Sequence, residues 1–364
     1  MENNYNNIFG LFLETIKYPV IILDSTNTII HLNKNMKETF GDLTGHNREL
    51  LFSETNENST ALEKIDKSKS GRVDLVLADV TYKAIYNQVA EGDSLYTVLI
   101  LEDISERKAL QTKVEARLKE IKKETAIAKN IQHSVLPADS NYWNSINLRG
   151  IYLPATDIGG DVYDIVKINE DEFLIYISDV SGHGIQASLL TMYMRENVRA
   201  KAYVAEQGLD LFMKEILENY ISLDIDAMLY ITLLCCKYNK RTAELSFVNA
   251  GHNCPPLVLR SNGRVEEIPL KGMPLSIISD PNSYQEEIIS IFPGDRIILY
   301  TDGIVEEYSK AEKGTFGPEG LRKVAEANYS EEGRKLAQRI IEESAKYMNL
   351  AAKDDRTIVI ADIL

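Results

Sequence analysis

The spacing of apolar residues changes character twice along this chain, and those changes divide it. In the first hundred residues, short apolar runs alternate with polar segments. YPVIILDSTNTIIHLN places two such runs around Asp24-Ser25-Thr26-Asn27, which predicts a β-hairpin. A helical stretch is expected around residues 35–40 and 50–52. GRVDLVLADVTYKAIYNQV and SLYTVLILEDIS then supply three further strands at hairpin spacing.

Residues 104–135 contain neither Gly nor Pro and are dense in Ala, Lys, Glu and Leu. Leu110, Val114, Leu118, Ile121, Ala128, Ile131 and Val135 recur at helical spacing and form one stripe, long enough for a short coiled coil. Thr125 and several charges interrupt the seam, and Leu136-Pro137 ends the helix.

Beyond residue 147 the periods mix. Residues 187–204, 208–221 and 332–348 read as helices, whereas MLYITLLCCKYN, ELSFVNAGHN and PPLVLRS read as successive strands. Strands in runs, with helices between and after, predict an α+β sandwich rather than a regular βαβ series. The expected organisation is therefore a sensor-like domain at 1–105, a helical linker at 106–137 and a larger domain at 138–364.

With 364 residues, 44% hydrophobic and 26% charged, the chain has material for more than one core. No window holds eighteen consecutive apolar residues, so no membrane span is expected. MENNYNNIFG lacks the basic start of a secretory signal. Cys235, Cys236 and Cys254 are too few and badly spaced for a disulfide framework or a zinc site, which suits a cytoplasmic protein. The net charge of −15 argues against nucleic-acid binding. Residues 106–131 carry eight Lys or Arg against four Glu, leaving 32 basic and 51 acidic residues elsewhere, a net −19. An enzyme this acidic that handles phosphate needs metal cations to offset its own field.

The acids that matter sit at strand ends. FLIYIS runs into Asp179, RIILYT runs into Asp302, and Asp354-Asp355 opens onto RTIVIA. A carboxylate at the end of a buried strand is costly unless it is paired or holds a metal. Several meeting at one sheet edge would make an oxygen-rich site suited to Mg²⁺ or Mn²⁺. Five motifs carry this pattern: Gly159-Gly160-Asp161-Val162-Tyr163-Asp164, Asp179-Val180-Ser181-Gly182-His183-Gly184, Asn249-Ala250-Gly251-His252-Asn253, Thr301-Asp302-Gly303 and Asp354-Asp355-Arg356-Thr357. Each alone is also what an ordinary turn looks like. His183 has three readings: proton donor, metal ligand or a residue stabilising the helix that starts near Ile185. Asn249–Asn253 reads as a turn or as a substrate contact.

Two resemblances follow from these residues. The order of strand, strand, short helices and three strands, closed by Glu102-Asp103-Ile104-Ser105-Glu106-Arg107, resembles a PAS sensor domain. The ordered set GGDxxD, DVSGHG, NAGHN, YTDG and DDRT resembles the SpoIIE/RsbU-type branch of the PPM metal-dependent protein serine/threonine phosphatases, over roughly residues 130–364. That resemblance implies an αββα sandwich and two Mn²⁺ or Mg²⁺ ions that activate a water nucleophile. It carries a bridging-ligand role onto Asp179, a carbonyl-ligand role onto Val180, and ligand roles onto Asp302 and Asp354, with Asp355 open to exchange with Asp354. Asp161 matches the first-motif acid, acting through metal-bound water. The same resemblance implies a phosphorylated STAS-domain anti-anti-sigma factor as substrate, and a homodimer built through the PAS-like domain and linker helix.

Two features depart from the eukaryotic branch of that family. PATDIGGD lacks the phosphate-binding Arg expected before the first acidic pair, and His183 follows Asp179 by four residues rather than two. A diguanylate cyclase is the rival enzyme reading, but Val162-Tyr163-Asp164 is not the continuation its GGD turn needs. A degenerate phosphatase fold serving as a binding module is the alternative without chemistry.

Overall fold

The computed structural model describes residues 10–52, 56–182, 184–226, 228–306, 308–309, 314–347 and 354–364. The chain divides into two compact units, Met1–Glu120 and Ile121–Leu364. In the first, β1 (Val20–Leu23) and β2 (Ile29–Leu32) form the expected hairpin. Asp24 makes its turn by accepting from the backbone N–H groups of Thr26 and Thr28, both at 2.9 Å, while Asn27 takes a left-handed φ of 63°. Asn33 is fully buried and starts α1 (Lys34–Phe40) by accepting from Met36 N–H at 3.0 Å.

A helix that the sequence patterning missed, α2 (Asn56–Lys67), precedes β3 (Ser70–Leu77), β4 (Val80–Glu91) and β5 (Ser94–Asp103). Its mean hydropathy is low, so its apolar stripe of Ala61 and Ile65 is thin. The antiparallel sheet runs in the order β2-β1-β5-β4-β3. Its core gathers Ile21, Leu23, Met36, Ile65, Leu75 and Leu99.

α3 (Ser105–Val135) is one continuous helix, and Leu110, Val114, Leu118 and Ile131 on its stripe are each more than half exposed. Among the described residues no helix is long and apolar enough to cross a membrane.

The second unit is a four-layer αββα sandwich. Along the chain come β6 (Ser140–Tyr142), β7 (Ile146–Leu153), β8 (Asp161–Lys167) and β9 (Glu172–Val180), then α4 (Ile185–Lys201) and α5 (Leu209–Ile221). β10 (Ile231–Asn239), β11 (Glu244–Ala250), β12 (Leu257–Leu259), β13 (Val265–Glu267), β14 (Glu287–Ser290) and β15 (Arg296–Tyr300) follow. The chain ends with the short pair β16 (Tyr308–Ser309) and β17 (Gly314–Thr315), α6 (Gly317–Ala327), α7 (Gly333–Ala345) and β18 (Arg356–Ile363). One sheet has the order β14-β11-β10-β9-β8 and the other β13-β12-β15-β18-β7-β6.

Both faces of each central strand are covered, which is why the sequence shows unbroken apolar runs instead of alternation. On β9, Leu174, Tyr176 and Val180 pack toward α4 and α5, while Phe173, Ile175 and Ile177 pack between the sheets. On β18, Ile358 and Ile360 face α6 and α7, while Val359, Ala361 and Ile363 face the other sheet. The sheet-to-sheet layer is therefore the structural keel of this unit. Phe247→Ala, which empties a fully buried position in that layer, should cost about 3–5 kcal/mol in a urea titration followed by circular dichroism. A loss below about 1 kcal/mol would mean the layer is not packed as described.

Candidate metal centre

Antiparallel register brings the first two motifs together. Asp161 opens β8, Asp179 lies near the end of β9, and the two residues are direct cross-strand partners. The turn before Asp161 is pinned to the same place, because Val180 N–H donates to the Gly160 carbonyl at 3.1 Å. A Cβ on Gly160 would stand 2.8 Å from the Val180 carbonyl oxygen and 3.3 Å from Asp179 Oδ1, so only glycine leaves both oxygens their space.

The other sheet delivers the later motifs to the same end. β15 and β18 are neighbours, and Thr301 N–H donates to the Thr357 carbonyl at 3.0 Å just where the pair finishes. Asp302 begins a single 3-10 turn after β15, and Asp354-Asp355 directly precede β18. A Cβ on Gly303 would come within 2.1 Å of the Asp355 carbonyl oxygen, so that glycine also marks a close backbone approach.

Asp161 joins the two sheets. Its Oδ2 accepts from the Thr301 hydroxyl at 2.9 Å and from the Thr357 hydroxyl. Burial and then the neighbouring Asp179 raise its carboxyl well above the ordinary range, against the lowering effect of the Thr357 bond. Asp179 is pushed up to about 7, first by burial and then by Asp302, Asp354 and Asp355. Glu306, which the motif reading did not include, is raised as well, by burial and then by Asp302 and Asp354.

The adjacent acids Asp354 and Asp355 have different surroundings. Asp355 is buried and anchors the first-motif loop: Oδ1 accepts from Ala155 N–H at 2.7 Å and Oδ2 from Gly160 N–H. Asp354 is exposed and accepts from Asp355 N–H at 2.8 Å. Asp164, the second acid of GGDVYD, stands apart from this group. It is fully buried and bound by Arg199 through Nε at 2.6 Å and Nη2 at 2.9 Å, which ties α4 to β8.

Asn249–Asn253 is an internal turn whose last residue reaches the acids, since Asn253 Nδ2 donates to Asp302 Oδ2 at 3.0 Å. His252 is buried and held neutral, because burial lowers its pKa. His183 lies outside the described residues. All three cysteines are buried and free, and burial drives their thiols up, away from a nucleophilic thiolate.

Sequence reading missed the hydroxyls of Thr301 and Thr357. Both were visible inside YTDG and DDRT, but nothing in a linear motif says that two threonines share one carboxylate oxygen. Among the described residues no three Asp, Glu, His or Cys side chains are already gathered at metal-ligand spacing. The chemistry of the donor set nevertheless suits a hard cation: the carboxylates of Asp179, Asp302 and Asp354 with the Val180 carbonyl are all oxygen, and burial makes the charge of Asp179 costly.

Residues 169–364 match the sequence profile of stage II sporulation protein E (SpoIIE). The phosphoserine phosphatase RsbU of Bacillus subtilis is 26% identical over 244 residues, which cover 66% of this chain and 70% of that protein. The phosphoserine phosphatase RsbP of the same organism is 27% identical over 190 residues, covering 51% of this chain and 46% of its own length. The solved SiaA-PP2C domain of Pseudomonas aeruginosa superposes with a TM-score of 0.58 at 21% identity, over 68% of this chain and 99% of that one, and so shares the fold.

The raised carboxyls set a sign for stability. A carboxylate whose folded pKa lies above its unfolded value near ~3.9 binds its proton more readily in the native state. Between that value and about 7, Asp179 therefore adds stability as pH falls, and loses it as pH rises. Free of divalent cations, the second unit should melt at a higher temperature at pH 5.5 than at pH 8. Asp179→Asn should flatten that dependence and raise the pH 8 value. A variant with the wild-type pH profile in differential scanning calorimetry would contradict this origin.

Proposed function

The chain belongs to the SpoIIE family, and from that membership we propose that it hydrolyses phosphoserine or phosphothreonine on a partner protein with two bound Mn²⁺ or Mg²⁺ ions. The observation that carries this reading is the convergence of Asp161, Asp179, Asp302 and Asp354 on one end of the sandwich, with the Asp179 carboxyl displaced to about 7 by burial and then by the neighbouring acids. Asp179, the Val180 carbonyl, Asp302 and Asp354 would hold the cations, and Asp161 would act beside them. We assign the ligand role to Asp354 rather than Asp355, because both oxygens of Asp355 are engaged by the Ala155 and Gly160 N–H groups.

When bound, such a pair of cations supplies an activated water and a clamp for phosphoryl oxygens. The protein's own part is to keep room and direction. Gly160 leaves the approach to Asp179 open, the Thr301 and Thr357 hydroxyls fix which oxygen of Asp161 is free to turn, and the anchored Asp355 keeps the first-motif loop in place. A chain with net charge −15 does not attract a phosphate monoester unaided, so cation binding and substrate binding are one requirement.

The similarity to the phosphoserine phosphatases RsbU and RsbP supports a phosphorylated STAS-domain anti-anti-sigma factor as the substrate, in a cytoplasmic partner-switching pathway. The five-stranded sheet with its helices between β2 and β3 supports a PAS-like sensor. The exposed stripe of α3 supports a homodimer that joins through this helix. Within the second unit the end of that helix meets the first-motif turn directly: Gln132 Nε2 donates to the Gly159 carbonyl at 2.8 Å, and Gly159 N–H donates to Gln132 Oε1 at 3.3 Å. A change in the helix would thus act on the residue two before Asp161.

Asp179→Asn should lower Mn²⁺-dependent phosphate release from a phospho-STAS protein by more than about a hundredfold, beyond the loss usual when a ligand's supporting groups are removed, with the circular dichroism spectrum unchanged. Full activity of the wild type after exhaustive chelation would refute the metal mechanism. A wild type that binds Mn²⁺ but releases no phosphate from any phosphoprotein would favour the binding-module alternative. Independently, Val114→Glu with Leu118→Glu and Ile121→Glu should convert a dimer to a monomer in analytical ultracentrifugation and change the rate of phosphate release. An unaltered mass and rate would eliminate the helix as coupler.

A further inference from the structure

His252 is 4% exposed, yet it touches both sheets immediately behind the acids. Its Nε2 lies 2.9 Å from the Tyr300 carbonyl oxygen on β15, two residues before Asp302. A carbonyl only accepts, so Nε2 carries the proton and Nδ1 is left as an acceptor. Nδ1 stands 3.2 Å from the Thr232 hydroxyl on β10. Thr232 is the direct cross-strand partner of Asp179, and its hydroxyl also lies 3.3 Å from the Asp179 carbonyl oxygen. The imidazole thus spans from Thr232, the residue paired with Asp179, to the strand end that carries Asp302.

The backbone that carries the ring is itself fixed. Asn249 Oδ1 accepts from His252 N–H at 2.8 Å, and Asn249 Nδ2 donates to the His252 carbonyl at 3.0 Å. Gly251 holds a φ of +70°, and a Cβ there would stand 2.4 Å from Pro274 N, so the turn is closed from outside as well. The neighbour Asn253 adds the bond to Asp302 Oδ2. A histidine with both nitrogens engaged and its ring buried cannot reach a substrate, which removes the substrate-contact reading for this residue. What remains is position.

We propose that His252 is a positioning residue that sets the separation of Asp179 and Asp302 across the two sheets, and with it the affinity of the centre for divalent cations. The proposal rests on the metal reading of the site. It assigns NAGHN to the registration of one sheet against the other, and it makes Thr232 the second half of the device. A brace of this kind acts as supporting groups around metal ligands do, where loss typically weakens binding ten- to a hundredfold.

The test measures Mn²⁺ binding to the full chain by calorimetry and by the electron paramagnetic resonance signal of bound Mn²⁺, alongside melting temperature. Thr232→Val, which keeps shape and removes the hydroxyl, and His252→Gln, which retains one donor and one acceptor, should each weaken Mn²⁺ binding by about tenfold. His252→Phe should weaken it further. Phe247→Ala serves as the comparison: it should lower the melting temperature and leave Mn²⁺ affinity within about twofold of the wild type. Wild-type affinity in folded Thr232→Val and His252→Gln would overturn the positioning role alone. A wild-type chain that binds no divalent cation would overturn the metal reading, and this inference with it.

Discussion

Like charges crowded into a poorly hydrated space raise one another's free energy, and the second unit gathers its acids at one end despite that cost. Asp161 and Asp179 face each other across a strand pair, and the other sheet brings Asp302, Asp354 and Asp355 to the same edge. The upward displacement of Asp161 and Asp179 records the penalty. A fold tolerates such an arrangement when rigid hydrogen bonds hold the acids in place and a cation later offsets the charge.

The local geometry follows from that constraint. Glycine occurs where the backbone passes closest to these acids, at Gly160 beside the Val180 carbonyl and Asp179, and at Gly303 beside the Asp355 carbonyl. Oxygens that need only be held are given donors. Asp355 takes the N–H groups of Ala155 and Gly160, and Asp161 takes two threonine hydroxyls from the opposite sheet. The five-acid end is thereby the place where the sheets are stitched together by polar bonds, while the space between them elsewhere is filled by Phe173, Ile177, Phe247 and Val359.

Much of this is legible in the sequence, for a definite reason. Strands covered on both faces leave long apolar runs, and an Asp at the end of such a run has no structural excuse, so Asp179 and Asp302 stood out. The αββα architecture followed from the family resemblance, and the solved relative shares that fold. Elements whose signal is diluted were lost. α2 is mostly polar with a narrow buried stripe, and α6 buries only Leu321 and Ala325 along its length. The distinction between Asp354 and Asp355 was also invisible, because it depends on N–H groups about two hundred residues away. The same holds for His252, whose partners lie on two strands that meet only in the folded chain.

The choice of donors says what the acids are for. Asp164 is an acid of the first motif that the protein neutralises itself, with Arg199 bound through two nitrogens and Arg195 at 3.2 Å. Its charge is spent on fixing α4. Asp161, Asp302 and Asp355 are held differently, by threonine hydroxyls, an asparagine amide and backbone N–H groups. Neutral donors orient a carboxylate without cancelling its charge, so the negative potential at the sheet ends survives folding. An uncharged histidine bracing the same two strand ends obeys the same rule: a cationic side chain there would compete for the field that a divalent ion has to feel. The separation of Asp164 from its neighbours is therefore chemical as well as spatial: two arginines cancel its charge, and neutral donors leave theirs in place.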